Sequence, residues 1–241
     1  MKDKILISTG GSGGHVIPAI TIYDHLKNDY DIVISTDLRG VKYLENNIFK
    51  VFVIDTPKLN KSILIPFAIL KVIFLTLKSL FLLKKEKIQI LISTGGYMSL
   101  PLCLAAKILK IKIFLLEPNM IIGRANKFFL NFSKKIICYA NNIINFPDKF
   151  QNKIVTLSPL IRKKYYEKNF TENKDKIFTV IIVGGSQGAQ IFDKILHEII
   201  IKISKIKSLK IIHQTNKKNI DFLKNFYSKN GIENIVFSFD Q

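Results

Sequence analysis

At 241 residues the chain is long enough to bury the core of one or two domains, and with 48% apolar residues it is globular. Its formal net charge of +19 suits an anionic substrate, an anionic lipid surface or nucleic acid. Of its 37 basic residues, however, only Arg39, Arg124 and Arg162 are arginine, and no aromatic interleaving accompanies the lysines, which argues against nucleic acid as a partner.

In chain order, Met1–Lys4 precedes an apolar run too short for a secretory leader, so the expected origin is cytosolic. Strand Lys4–Ser8 leads to Gly10-Gly11-Ser12-Gly13-Gly14-His15, with a helix predicted over Pro18–Asn28. Strand Asp31–Ser35, helix Val41–Asn46 and strand Val51–Ile54 follow. Ile63–Leu83 is apolar except for Lys71, Thr76, Lys78 and Ser79. Spanning a bilayer would bury two lysines at about 2.5–3.5 kcal/mol each, and Pro66 interrupts the start. Two readings stay open: a crossover helix buried in the fold, or a helix whose apolar and lysine side chains touch anionic lipid.

Strand Ile88–Ile92 ends in Gly95-Gly96-Tyr97, and helix Leu100–Leu109 and strand Lys112–Leu116 come next. Residues 5–11 and 90–96 are the same seven residues, Ile-Leu-Ile-Ser-Thr-Gly-Gly. Glu117-Pro118-Asn119 then ends a strand. It is followed by a helix over Gly123–Phe132 and strands Lys135–Tyr139 and Ile154–Leu157. Cys103 and Cys138 sit in apolar segments without metal-ligand spacing and read as buried thiols. Polar Lys163–Lys176 reads as a linker between a domain at 1–162 and a second at 177–241. The second has strand Phe178–Val183, helix Ala189–Ile203, strand Lys210–His213, helix Asn219–Lys229 and strand Asn234–Ser238. Three strands leave an open face and edge, so this unit is expected to be unfinished at Gln241.

Strands alternating with helices specify an α/β chain with parallel sheets. Each glycine pair closes a strand and opens a helix, the arrangement that offers free backbone N–H groups to phosphate. No Gly-Lys-Ser/Thr follows, so the first loop is not a Walker A loop. Val16 stands where the third glycine of a dinucleotide fingerprint belongs, although Asp37 after the second strand keeps that option. His15 follows the first loop at the ligand-binding edge of such a sheet and is read as a base or a ligand-orienting group, against a purely structural role. Glu117 is read two ways, as a helix cap or as a partner of substrate hydroxyls. Gly184-Gly185-Ser186-Gln187-Gly188-Ala189 is a second anion site, with His213 and Gln214 at the neighbouring strand end.

Gly10–Ala19 (GGSGGHVIPA), Gly95–Pro101 (GGYMSLP), Glu117–Asn126 (EPNMIIGRAN) and Gly184–Ala189 (GGSQGA), together with His213-Gln214-Thr215, resemble the motifs of MurG glycosyltransferases in order and spacing. The resemblance implies a GT-B fold of two Rossmann-like domains, the second incomplete here. It implies inverting transfer of N-acetylglucosamine from UDP-N-acetylglucosamine to lipid I, giving lipid II for peptidoglycan, at the cytoplasmic face of the inner membrane as a peripheral protein. It implies no metal and no cofactor. Carried over residue by residue, His15 is the catalytic base, and Ser12, Gly13 and Gly14 meet the diphosphate or acceptor. Asn119 and Arg162 line the cleft, Ser186 meets the donor phosphate, and Gly96, Tyr97, Glu117 and Asn126 lie on the acceptor side. Pro118 departs from the family's usual Gln, and Ser158–Arg162 from its Gly-Asn-Pro-Val-Arg pattern. The resemblance covers about two thirds of the family's length. The alternative is a non-catalytic fragment, or half of a split enzyme, that binds acceptor and membrane only.

Overall fold

A computed structural model describes residues 2–44, 48–57, 65–166, 177–184 and 190–238, in two compact units, Met1–Lys168 and Asn169–Gln241. The first unit is built on a parallel sheet of seven strands: β1 (Lys4–Ser8), β2 (Asp31–Thr36), β3 (Val51–Val53), β4 (Ile90–Ser93), β5 (Lys112–Glu117), β6 (Lys135–Cys138) and β7 (Ile154–Thr156). Their order is β3-β2-β1-β4-β5-β6-β7. The central strands are buried along nearly their whole length because helices cover both faces, which is why they read as unbroken Ile, Leu and Val runs.

The chain leaves β1 toward β2 on one side and returns to place β4 on the other, so the strand order reverses between β1 and β4. Crevices for ligands form outside the carboxyl ends of strands at such a switch point. The two identical heptapeptides meet there in exact register: Ile5 opposite Ile90, Leu6 opposite Leu91, Ile7 opposite Ile92 and Ser8 opposite Ser93. Beyond the strands the Thr94 amide donates to the Ser8 carbonyl at 3.0 Å, and the Thr94 hydroxyl to the Thr9 hydroxyl at 2.9 Å.

Helix α1 (Gly13–Leu26) starts five residues earlier than the sequence predicts. Ser12 is extended and holds the N-cap position without a side-chain hydrogen bond, and Gly13-Gly14 form the first turn rather than a loop. Pro18 then lies inside the helix and has no N–H for the Gly14 carbonyl. Helix α2 (Leu38–Val41) replaces the one predicted over Val41–Asn46, of which residues 45–46 lie outside the described residues. Asp37 decides this, because its carboxylate accepts the Gly40 amide at 3.0 Å and caps the helix there.

Helix α3 (Ile65–Lys85) packs against α4 (Leu100–Ile108). It turns its small polar groups inward. Thr76 and Ser79 are buried and donate to the carbonyls of Val72 and Leu75 one turn back. Phe67, Leu70, Phe74, Leu77 and Phe81, at alternating spacings of three and four, face outward, Phe81 with 76% of its surface exposed. Pro66–Lys85 is long and apolar enough to cross a membrane by length and composition, with a mean hydropathy of 2.0 and 28% of that window buried. Cys103 and Cys138 are buried as expected, and burial pushes their thiols up to about 12 and about 11.

Helix α5 (Arg124–Phe129) lies between β5 and β6 in the first unit. The second unit carries a parallel sheet of β8 (Phe178–Ile182), β9 (Leu209–Thr215) and β10 (Glu233–Ser238), ordered β10-β9-β8. Its helices are α6 (Gln190–Ile195), α7 (His197–Ser204) and α8 (Ile220–Lys229). The single helix predicted over Ala189–Ile203 is interrupted at Leu196, and Ala189 lies outside the described residues. Ile200, Ile211, Leu223, Tyr227 and Val236 form the core of this unit, while Ile181 and Val183 are exposed.

A buried polar knot ties this unit together. Asp193 accepts the Thr215 hydroxyl at 2.7 Å and the Asn219 amide at 2.6 Å. His213 bonds the Tyr227 hydroxyl at 2.8 Å through Nδ1, and its Nε2 lies 3.2 Å from Asp193 Oδ1 without hydrogen-bond alignment. Burial holds the His213 pKa below the usual imidazole value of 6.5, with Asp193 opposing the shift. The unfolded chain therefore binds a proton more readily than the folded one. The stabilisation is full above the unfolded value and is lost as pH falls through the lower folded value. Thermal unfolding followed from pH 8 to pH 5 is expected to show a midpoint that declines below about 6.5. His213→Asn should flatten that decline; an unchanged slope in the variant would show that other groups cause it.

Candidate functional site

A cleft of about 690 Å³ opens at the carboxyl ends of β4 and β5. His15, Gly95, Gly96, Tyr97, Glu117, Asn119 and Asn126 line it, with Arg124 and Phe128 on α5. His15 reaches it from the first turn of α1, across the switch point. Its Nδ1 lies 2.7 Å from the Thr94 carbonyl oxygen. A carbonyl only accepts, so Nδ1 carries the proton and Nε2 keeps its lone pair. Nε2 faces Gly96, where an added Cβ would stand 3.7 Å from it. The result is an imidazole with one tautomer, one orientation and a free basic nitrogen.

The glycines give this imidazole its room. Gly95 and Gly96 have φ values of +90° and +84°, in the left-handed region that L side chains rarely adopt. A Cβ on Gly96 would also sit 2.3 Å from Met98 Sδ. The turn then runs into Tyr97–Ser99, a single 3₁₀ turn ahead of α4.

Glu117 is bonded into the scaffold. It is 2% exposed, and each of its oxygens accepts two donors: Oε1 takes the Asn119 amide N–H and side chain, at 3.3 and 3.0 Å. Oε2 takes the Gly123 amide at 2.7 Å and the Asn126 side chain at 2.9 Å. Four donors fill the carboxylate's capacity, so it shapes the cleft wall between β5 and α5 and leaves no lone pair for a hydroxyl.

Beside the cleft stands a group that the sequence reading did not single out. Asp37 is buried and accepts the Gly11 amide at 2.8 Å, while its other oxygen pairs with Arg39 at 2.9–3.0 Å. The Arg39 guanidinium also donates to the Tyr97 hydroxyl and lies 5.6 Å from that ring's centre. Pairing with Asp37 raises the Arg39 pKa, and burial raises that of Tyr97, with Arg39 opposing. The signal for this cluster was Asp37, read in the sequence only against a dinucleotide fingerprint.

Residues 5–138 match the glycosyltransferase family 28 N-terminal domain, and residues 179–241 its C-terminal domain. A UDP-N-acetylglucosamine--N-acetylmuramyl-(pentapeptide) pyrophosphoryl-undecaprenol N-acetylglucosamine transferase from Pelagibacter ubique is 48% identical over all of this chain and 68% of its own length. The protein of the same name from Rickettsia felis is 32% identical over 95% of the chain and 66% of its own length. The chain belongs to the MurG family of glycosyltransferases. It spans about two thirds of the length of these relatives. The crystal structure of Acinetobacter baumannii MurG superposes over 99% of the chain and 68% of its own, with a TM-score of 0.72 at 22% identity, which supports the GT-B fold.

Set beside the MurG resemblance, the structure brings His15, Gly96, Tyr97, Glu117, Asn119 and Asn126 to one cleft. Ser12, Gly13 and Gly14 are the cap and first turn of α1 rather than part of the cleft lining. Arg162 is not among the lining residues either. The preceding Ile161 carbonyl is bonded by His25 in the last turn of α1, ten residues along from His15 or about 15 Å of helix. Ser186 lies outside the described residues. Gly96→Ala is expected to lower stability by about 1–3 kcal/mol, from the positive φ and the Met98 clash together. Denaturant unfolding of both proteins checks this, and equal midpoints would refute it.

Proposed function

We propose that this chain performs the MurG reaction, transferring N-acetylglucosamine from UDP-N-acetylglucosamine to the C4 hydroxyl of the muramoyl unit of lipid I. The observation that carries the reading is His15, with Nδ1–H given to the Thr94 carbonyl and Nε2 open to the cleft. The acceptor hydroxyl gives its proton to Nε2 as its oxygen bonds the anomeric carbon. The bond from that carbon to the diphosphate breaks, and UDP leaves with the electron pair. One in-line displacement inverts the anomeric centre and requires one base. The imidazolium that forms is held by the Thr94 carbonyl, whose negative end faces the new charge. The Gly13 and Gly14 amides, first in α1, have no carbonyl one turn back, and with the positive helix end they suit the acceptor's diphosphate. The domains read at 1–162 and 177–241 would then serve acceptor and donor, with Ser186 on the donor phosphate.

Incubating the chain with labelled UDP-N-acetylglucosamine and a lipid I analogue is expected to yield labelled lipid II. His15→Ala should cut the rate by about 10²–10⁴-fold with the fold intact. Wild-type turnover by that variant would remove His15 from its role.

The acceptor is a membrane lipid, and α3 supports docking at the cytoplasmic face. Phe67, Phe74 and Phe81 are each followed four residues later by exposed Lys71, Lys78 and Lys85. The apolar stripe is thus flanked by cations suited to anionic headgroups. Phe74→Ser with Phe81→Ser is expected to abolish co-sedimentation with vesicles containing phosphatidylglycerol while leaving thermal stability within about 0.5 kcal/mol, because both rings are exposed. Undiminished vesicle binding would show that α3 is not the docking surface.

A further inference from the structure

Two residues that line the cleft have no part in the reaction described above. Arg124 and Phe128 stand one turn apart on α5, and both border the cleft. Both are exposed, Phe128 with 58% of its surface open. No other arginine or lysine is among the described residues that line the cleft. Among the described residues no carboxylate pairs with Arg124, whereas Arg39 is paired with Asp37. The one carboxylate in the lining, Glu117, is already filled by its four N–H donors.

The Phe128 ring begins an aromatic row that leads out of the cleft. Its centre lies 5.0 Å from that of Phe129 and 6.5 Å from that of Phe132, both edge to face. Phe129 is buried and anchors the row in the core. Lys107 Nζ stands 3.6 Å from the centre of the Phe132 ring, which ties the row to α4. Exposed Ile108 follows on α4, and α4 packs against α3. An apolar path thus starts in the cleft beside a cation and runs by way of α4 toward α3. Such an order matches a ligand whose anion is bonded directly to a hydrocarbon. A sugar nucleotide would pair the guanidinium and leave the ring in water, and an uncharged lipid would do the reverse. A guanidinium gives two parallel N–H donors to phosphate, and an exposed ring gains when hydrocarbon covers it.

We propose that α5 carries the subsite for the acceptor's lipid tail. Arg124 holds the diphosphate from the α5 wall, and Phe128 with Phe132 takes the first isoprene units as the chain leaves for α3. The proposal rests on the acceptor reading above. It adds a contact between protein and lipid chain that is separate from the docking of α3 on the bilayer.

Calorimetric titration without vesicles tests it, with two soluble lipid I analogues that share sugar, peptide and diphosphate. One carries a geranyl tail and is kept below its micelle concentration; the other ends in a methyl group. The wild-type chain is expected to bind the geranyl analogue about tenfold more tightly. Phe128→Ser should cut that preference below about threefold and leave the affinity for the methyl analogue unchanged, while Phe128→Leu retains most of it. Arg124→Gln should weaken both analogues by about tenfold. Both side chains are exposed, so the variants should unfold with the wild-type midpoint. Equal binding of the two analogues by the wild-type chain overturns the proposal. So does a geranyl preference that survives in Phe128→Ser, or an unchanged affinity in Arg124→Gln. A preference that emerges only when phosphatidylglycerol vesicles are added also overturns it, because the bilayer then holds the tail. If neither analogue binds, the acceptor reading itself falls. Equal binding of both leaves that reading standing and removes the tail subsite alone.

Discussion

The backbone pairing of β1 with β4 is the constraint on which the cleft depends. These strands lie at the point where the order reverses, so the segments that follow them are driven apart and a crevice opens between. From one side α1 delivers His15. From the other, Thr94 delivers the carbonyl that fixes the imidazole's tautomer. Neither strand could place both groups. Because Thr94 is itself bonded to Ser8 and Thr9, the carbonyl that aims His15 is locked to the strand that launches it. The imidazole is thus held by main-chain geometry rather than by a carboxylate.

A second layer of order comes from Glu117. Its buried carboxylate meets four N–H donors and, among the described residues, no salt-bridge cation, and those donors come from three successive parts of the chain: Asn119, the Gly123 turn and Asn126 on α5. Removing it would release all of these at once. The arrangement explains how a wall made of short segments can hold Asn126 in a single orientation.

Much of this was legible in the chain. The β-branched runs gave the strands and their parallel class, and the glycine pairs marked the edge where the cleft lies. Helix starts were harder to read, because a glycine followed by a glycine reads as a loop, although α1 begins at Gly13 behind an extended Ser12, and because Asp37 capping Gly40 pulls α2 forward. Glu117 could be read as scaffold or as ligand, since only the number of donors around it distinguishes the two. The Arg39–Tyr97 contact was not readable at all, for it joins residues 58 apart in sequence across two turns.

The twin heptapeptides have a consequence for assembly. Through residue 11 in one copy and residue 96 in the other, the chain offers two indistinguishable strands to the same sheet. Backbone hydrogen bonds and side-chain packing within the run cannot tell a correct placement from an exchanged one. Sorting must come from outside it: Pro18 and a 14-residue helix on one side, a 3₁₀ turn and α4 on the other. A repeat that builds a symmetric strand pair thereby hands the choice of topology to the two helices, and the landscape around the central strands is as frustrated as those helices are slow to form.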